Sequence, residues 1–205
     1  MEFNKAVQRI KKNIYYKLPA AKAHAELMPT GRHLFDLKQK VLKQTAVCIL
    51  LFPKDNLTFS VLIERTTYNG VHSGQIGLPG GKKEKNDKNL TETGLRETEE
   101  EIGVNKKDIK VIGSISELYI PPSQFLVFPI IAYMEYSPEF VIDKNEVKSL
   151  ITYDIDVFLN GFELKTKEFS GHNYTIEAPY FDINGYSVWG ATAMILNEFR
   201  MLLKM

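Results

Sequence analysis

The chain has 205 residues, 44% of them hydrophobic and 25% charged, and its 26 Lys and Arg against 25 Asp and Glu give a formal net charge of +1. That balance leaves no basic footprint for a nucleic acid, and the composition is that of a globular protein of one domain. A single cysteine, Cys48, excludes an internal disulfide framework and fits a reducing compartment. No apolar run reaches membrane-spanning length and the opening MEFNKAVQRIKKN lacks the apolar stretch of a signal peptide, so a cytoplasmic protein without a membrane partner is expected.

Phe3, Val7, Ile10 and Ile14 fall at helical spacing along a basic amphipathic segment, Phe3 to Tyr16. The segment has no Trp-rich face for a membrane surface, so packing on the domain or on a partner subunit is expected. Pro19 and Pro29 interrupt the next stretch, and Leu34, Leu37 and Val41 predict a short second helix. Residues 1–44 therefore read as a helical extension packed on a domain of residues 45–205. Thr45–Phe52 and Thr58–Ile63 read as a hairpin turning at Pro53–Asn56, with Arg65 at its exit.

Next comes PGGKKEKNDKNLTETGLRETEEEIGV, residues 79–104, which opens on Gly80-Gly81 and closes on Glu97, Glu99, Glu100 and Glu101. Its second half reads as a helix. Asp87 or Asn89 can cap it, Asn89 with Glu92 has capping-box form, and Gly103 stops it. Gly94 inside the helix costs about 1 kcal/mol relative to Ala, which points to close packing there. Glu97, Glu100 and Glu101 share one face at i, i+3 and i+4, while Leu95, Thr98 and Ile102 share another. Like charges one turn apart cost about 0.2–0.5 kcal/mol, and the macrodipole disfavours acids near a C-terminus. Lys82, Lys83, Lys85 and Lys88 crowd the opposite end, again against the dipole. A positive partner is expected on the acidic face. A hard divalent ion such as Mg²⁺ suits carboxylates, and glycine backbone permits the close approach of an ion or phosphate.

Ile109–Tyr119 and Phe125–Met134 alternate as strands joined at residues 120–123. Glu139 to Leu159 is a polar loop feeding an apolar run. Phe169–Phe181 reads as a strand pair, Asn184-Gly185 as a hairpin turn, and Val188 onward leads into a helix ending near Met205 with Ala193, Leu196 and Phe199 on its apolar face. Trp189 reads as a core or interface anchor, with stacking on a nucleobase as the alternative. His24, His33, His72 and His172 show no metal spacing.

Gly81 followed by Arg96-Glu97-x-x-Glu100-Glu101-x-Gly103-Val104 resembles the Nudix box, the metal-binding loop and helix of hydrolases that cleave nucleoside diphosphates linked to another group. The spacing from Gly81 to Arg96 is one residue longer than usual, and Asp87 stands where the box carries Glu. The coenzyme A pyrophosphatase branch is similar in both respects. Upstream, Arg65, His72, Gly74-Gln75 and Pro79-Gly80-Gly81 resemble that branch's own signature, with Gly70 where it commonly carries Arg. Leu18–Arg32, Pro122–Pro129 and Tyr180–Thr192 are similar to it more loosely.

The resemblance implies the α+β Nudix fold, a mixed sheet sandwiched between helices. It implies Mg²⁺ or Mn²⁺ held by Glu97 and Glu101, with Glu100 and the Gly81 carbonyl in support, and Arg96 orienting the glutamates. Arg65, His72, Gln75, Gly80 and Gly81 would meet the substrate. A loop carboxylate, Glu146 ahead of Glu139 and Asp143, would serve as general base. The implied substrate is a small nucleotide, coenzyme A or its thioesters, giving 4′-phosphopantetheine and adenosine 3′,5′-bisphosphate; ADP-ribose or another linked diphosphate is the alternative. A homodimer is expected at the level of the family. A non-catalytic binding module is expected to have lost box glutamates, and here all three stand.

Overall fold

In the computed structural model, residues 1–30, 43–67, 74–121, 123–161, 163–171 and 174–205 are described. The basic amphipathic start forms α1 (Phe3–Asn13), whose Phe3, Val7 and Ile10 are buried. Next is a helix that periodicity did not predict, α2 (Ala20–Glu26), in which a run of good helix formers begins directly after Pro19. The helix expected around Leu34, Leu37 and Val41 lies outside the described residues.

The hairpin is β1 (Lys43–Lys54) and β2 (Leu57–Arg65), and its turn is tighter than expected. Asp55 and Asn56 take φ of 51° and 63°, the positive values that a two-residue hairpin turn demands, so the strand continues through Pro53. Two short strands, β3 (Ile76–Gly77) and β4 (Gly80–Lys82), precede the acidic helix α3 (Leu90–Ile102). The strand expected over 109–119 breaks into β5 (Lys110–Ser114) and β6 (Leu118–Ile120), both antiparallel to β7 (Phe125–Tyr133). The register slips between Val111 and Gly113, where the missing side chain leaves room for Ile14 of the N-terminal segment. The chain continues through β8 (Val147–Asp154), α4 (Ile155–Asn160), β9 (Lys165–Gly171), β10 (Tyr174–Ile183), β11 (Tyr186–Trp189) and α5 (Gly190–Lys204).

β1 is buried almost throughout because it lies in the middle of a mixed sheet. One edge pairs parallel with β7, from Lys43↔Phe125 to Leu51↔Tyr133. The other edge is shared: Leu51–Lys54 pair with β2, while Thr45–Val47 pair with β4. β2 in turn takes β8 along its far edge, and β3 pairs with it at Ile63 and Glu64. β1 and β2 therefore diverge, and β3 and β4 fill the fork. One face of this sheet packs on α3 through a cluster including Cys48, Leu50, Ile102 and Ile130. The opposite face packs on α1, α4, α5 and the small antiparallel sheet β9–β10–β11. The layering is the expected α/β/α sandwich.

α5 is buried far beyond its predicted apolar face, with Asn197 and Glu198 at 0% exposure, because α1 and α2 cover its other side. Buried polar groups need partners. Glu198 accepts from Ala20 N (3.1 Å) and Ser116 Oγ (2.6 Å) and pairs with His24 Nε2 (3.0 Å), while Asn197 Nδ2 donates to Ala23 O (2.8 Å). Asn13 Nδ2 donates to Leu202 O (2.8 Å), tying α1 to the same helix.

Candidate active site

Asn89 caps α3, accepting from Glu92 N (2.9 Å), and Gly103 ends it at φ 72°. Gly94 lies against the sheet, where an added Cβ would stand 3.0 Å from Ile130 Cδ1. That closeness presses the helix onto β1 and β7 and turns its acidic face towards the fork. The three glutamates that share this face then meet three different environments. Glu101 is 2% exposed, the Glu97 side chain 14% and the Glu100 side chain 57%.

Glu101 Oε2 accepts from Gly80 N (2.7 Å). Its Oε1 lies 3.4 Å from Arg65 Nη2, an ion-pair distance without hydrogen-bond geometry, so that oxygen is buried with no hydrogen-bond partner. Burial pushes the Glu101 carboxyl up to about 7; Arg65 and the Gly80 N–H pull it down, while Glu97 and Glu146 push it further. The Glu97 carboxyl is also raised, first by burial and then by Glu100 and Glu146, against the pull of Arg96. An added Cβ on Gly81 would overlap the Glu97 carboxylate, so that glycine makes the room Glu97 occupies. Gly80, at φ 149° and against the Ala46 carbonyl, admits no side chain either.

Arg96 organises the outer part of the site. Its Nη2 lies 2.9 Å from Glu97 and its Nη1 2.7 Å from Glu100, the orienting role expected from the sequence. Its third and strongest partner was not expected. Asp87 receives Arg96 Nε at 3.0 Å and Nη2 at 3.1 Å, and also accepts from Thr93 Oγ1 and Glu84 N. The guanidinium holds the Asp87 carboxyl down at about 2. Asp87 was a candidate helix cap in the sequence; Asn89 takes that role, and the only signal for the other was an acid at that position of the box.

β2 brings Arg65 to the inner end of the site, where Nη2 donates to Gly80 O (2.9 Å), so this residue holds the glycine turn as well as facing the cavity. Glu146 arrives from the loop before β8, fixed by Thr66 N donating to its carbonyl (2.9 Å). It lines the cavity with Glu97, Gln75, Gly80 and Gly81. Glu139, Asp143 and Glu100 are not part of that lining. His72 and Gly70 fall outside the described residues.

The cavity has a volume of about 1230 Å³ and is lined by these charged groups together with apolar side chains that include Ile76, Ile176 and Trp189. Among the described residues no three His, Cys, Asp or Glu side chains are gathered as a finished metal cage. Mg²⁺ does not require one, since it is usually held by one or two carboxylates together with substrate phosphates. The orphaned Glu101 oxygen, the repulsion among Glu97, Glu101 and Glu146, and the adjacent glycine carbonyls fit a hard divalent cation. The Gly81 carbonyl already accepts from Thr45 Oγ1 and keeps a second lone pair.

Residues 42–158, more than half of the chain, match the NUDIX domain family over the segment that carries the fork, α3 and Glu146. The chain belongs to the Nudix family. It is 32% identical over 163 residues to mitochondrial Nudix hydrolase 15 of Arabidopsis thaliana, covering 75% of this chain and 56% of that one. It is 25% identical over 182 residues to an uncharacterized Nudix hydrolase, NudL, of Pectobacterium atrosepticum, covering 86% and 88%. It thus spans little more than half the length of the plant relative. A MutT/nudix family protein from Enterococcus faecalis shares the fold, with a TM-score of 0.53 at 16% identity over 84% of this chain and 66% of that one.

Proposed function

We propose that this Nudix protein hydrolyses the diphosphate bond of a nucleotide-linked metabolite, coenzyme A or its thioesters, to 4′-phosphopantetheine (or its acyl form) and adenosine 3′,5′-bisphosphate. The observation that carries the reading is a pair of carboxylates on one helical turn, Glu97 and Glu101, drawn out of water beside Gly80 and Gly81 and opposed by Glu146. Such crowding of like charge is destabilising on its own and would be relieved by a divalent cation, which would in turn attract the oxygens of a diphosphate. Glu97 and Glu101 would hold Mg²⁺ or Mn²⁺, with Glu100 and the Gly81 carbonyl in support; bound there, such an ion offsets charge on phosphate oxygens and lowers the pKa of a water.

The chain's own residues do the rest. Arg96, itself fixed by Asp87, sets the Glu97 carboxylate. Arg65 fixes Gly80 and neutralises part of the Glu101 charge. Glu146, exposed and facing both, takes the proton of the attacking water as general base. One water adds across the P–O–P bridge and each phosphate leaves as a monoester. The signature spanning Arg65 to Val104 supports coenzyme A, as does a cavity volume of about 1230 Å³, above the roughly 300–1,000 Å³ of an ordinary small-ligand pocket. In this reading residues 45–205 are the catalytic domain, residues 1–44 its extension, and the site of action the cytoplasm.

The test is to incubate the purified chain with coenzyme A, acetyl-coenzyme A and ADP-ribose, each with Mg²⁺ or Mn²⁺. Formation of adenosine 3′,5′-bisphosphate is expected. Turnover of ADP-ribose alone would reject the substrate while leaving the hydrolase.

A further inference from the structure

Glu146 reaches the site on the loop before β8, and its side chain is exposed. Glu97 and Glu101 face it with like charge, so electrostatics alone push it away from the place where a base is needed. What opposes that push is the turn in which it sits. Glu146 N and Val147 N both donate to Asp143 O (3.1 and 2.8 Å), and Asp143 Oδ1 accepts from Asn145 N (2.9 Å), which closes residues 143–147 on themselves. Two ties then fix this turn to the rest of the site. On one side Asp143 N donates to Glu101 O (3.2 Å) and Val141 N to Ile102 O (3.0 Å), so carbonyls that α3 leaves unpaired at its end are taken up by the segment leading to the base. On the other side stands Thr66, directly after β2. Its N donates to Glu146 O (2.9 Å) and its Oγ1 to Asn145 O (2.9 Å). The register of β2 on β8 slips between Glu64 and Arg65, and the slip sets Thr66 level with Glu146 rather than Val147.

We propose that Thr66 is a positioning residue for the hydrolysis, its hydroxyl latching the turn that presents Glu146 to Glu97 and Glu101. The inference deepens the hydrolase reading and rests on it for Glu146 as the general base. Arg65 and Thr66 then divide the work at the exit of β2: Arg65 holds the glycine turn through Gly80 O, and Thr66 holds the base turn. A base has to come within about 2.6–3.2 Å of the proton-bearing oxygen, and a displacement of about 1 Å can cost about 10²-fold in rate. Valine has the shape of threonine without the donor. Thr66→Val therefore removes the side-chain tie to Asn145 O, while the backbone bond from position 66 to Glu146 O stays.

The experiment compares the whole parent protein with Thr66→Val, Thr66→Ser and Glu146→Gln. Hydrogen exchange by mass spectrometry, with divalent ions chelated and no substrate, reads the turn directly. Amides of residues 145–147 should exchange about three- to tenfold faster in Thr66→Val, the change expected for one lost hydrogen bond, and at the parent's rate in Thr66→Ser. Steady-state kinetics with Mn²⁺, on whichever of coenzyme A and ADP-ribose the parent hydrolyses, reads the chemistry. Thr66→Val should lower kcat about tenfold with KM unchanged, and Thr66→Ser should restore it. Thr66 borders the cavity, so a fall confined to KM would mark a substrate contact and overturn the proposal. Unchanged exchange or unchanged kcat in Thr66→Val would overturn it too. Loss of kcat in Glu146→Gln without loss in Thr66→Val rejects the latch and keeps the base. A parental kcat in Glu146→Gln rejects the base, and the positioning role goes with it. Were the parent to release no product from either diphosphate, the hydrolase reading would fall, and the exchange rates would still decide whether Thr66 latches the turn.

Discussion

Glu101 offers the sharpest test because its burial makes a signed statement about stability. Its carboxyl is held at about 7 in the folded chain against 4.5 for the ordinary side chain. Between those values the folded form keeps a proton that the unfolded form has lost. Folding stability from this group therefore falls as pH rises from the lower value to the higher, and the penalty is complete above it. The difference corresponds to about 3 kcal/mol of opposition to folding at alkaline pH. Glu101→Gln keeps an acceptor for Gly80 N and removes the charge. Without metal the variant should exceed the parent by about 1–3 kcal/mol above pH 8, the lower bound allowing for Arg65's lost partner. For a chain of this size each kcal/mol moves Tm by about 2–4 °C. Thermal unfolding in chelator near pH 5 and near pH 8 measures the gap, which should be small at the first and several degrees at the second. Adding Mg²⁺ should raise the parent's Tm more than the variant's, and turnover should be lost in the variant. A variant less stable than the parent by the same amount at both pH values would refute the reasoning.

Asp87→Ala strips Arg96 of its bidentate partner, leaves Glu84 N without its acceptor and Thr93 Oγ1 with only its longer bond to Asn89 O (3.3 Å), yet Arg96 keeps Glu97 and Glu100; a loss of about 2–3 kcal/mol in urea unfolding is expected. Because the Asp87 carboxyl is lowered from 3.8 to about 2, the pair's stabilisation is whole above the upper value and disappears as pH falls through the lower, so the acid-unfolding midpoint should move upward in the variant. Gly81→Ala should displace the Glu97 carboxylate and cut kcat/KM at least tenfold with little change in far-UV circular dichroism. Glu146→Gln should lower kcat by about 10²-fold or more with KM nearly unchanged; an unaltered kcat would remove Glu146 from the chemistry.

Periodicity and spacing along the chain already determined a good deal. The i, i+3, i+4 placement of Glu97, Glu100 and Glu101, the Asn89 cap, the Gly103 stop and the close packing at Gly94 are local consequences of helix geometry, and all appear as expected. The β1–β2 hairpin also appears, with its turn drawn in to Asp55 and Asn56. What no local pattern carried is how differently the three glutamates are treated. Depth is set by how α3 lies on β1 and β7, and it leaves Glu101 in the interior while Glu100 stays in water. The grip of Asp87 on Arg96 and the covering of α5 by α2 are likewise decided only once remote segments meet. A carboxylate's chemistry depends on its surroundings, and those surroundings are assembled from parts of the chain that are neighbours only after folding.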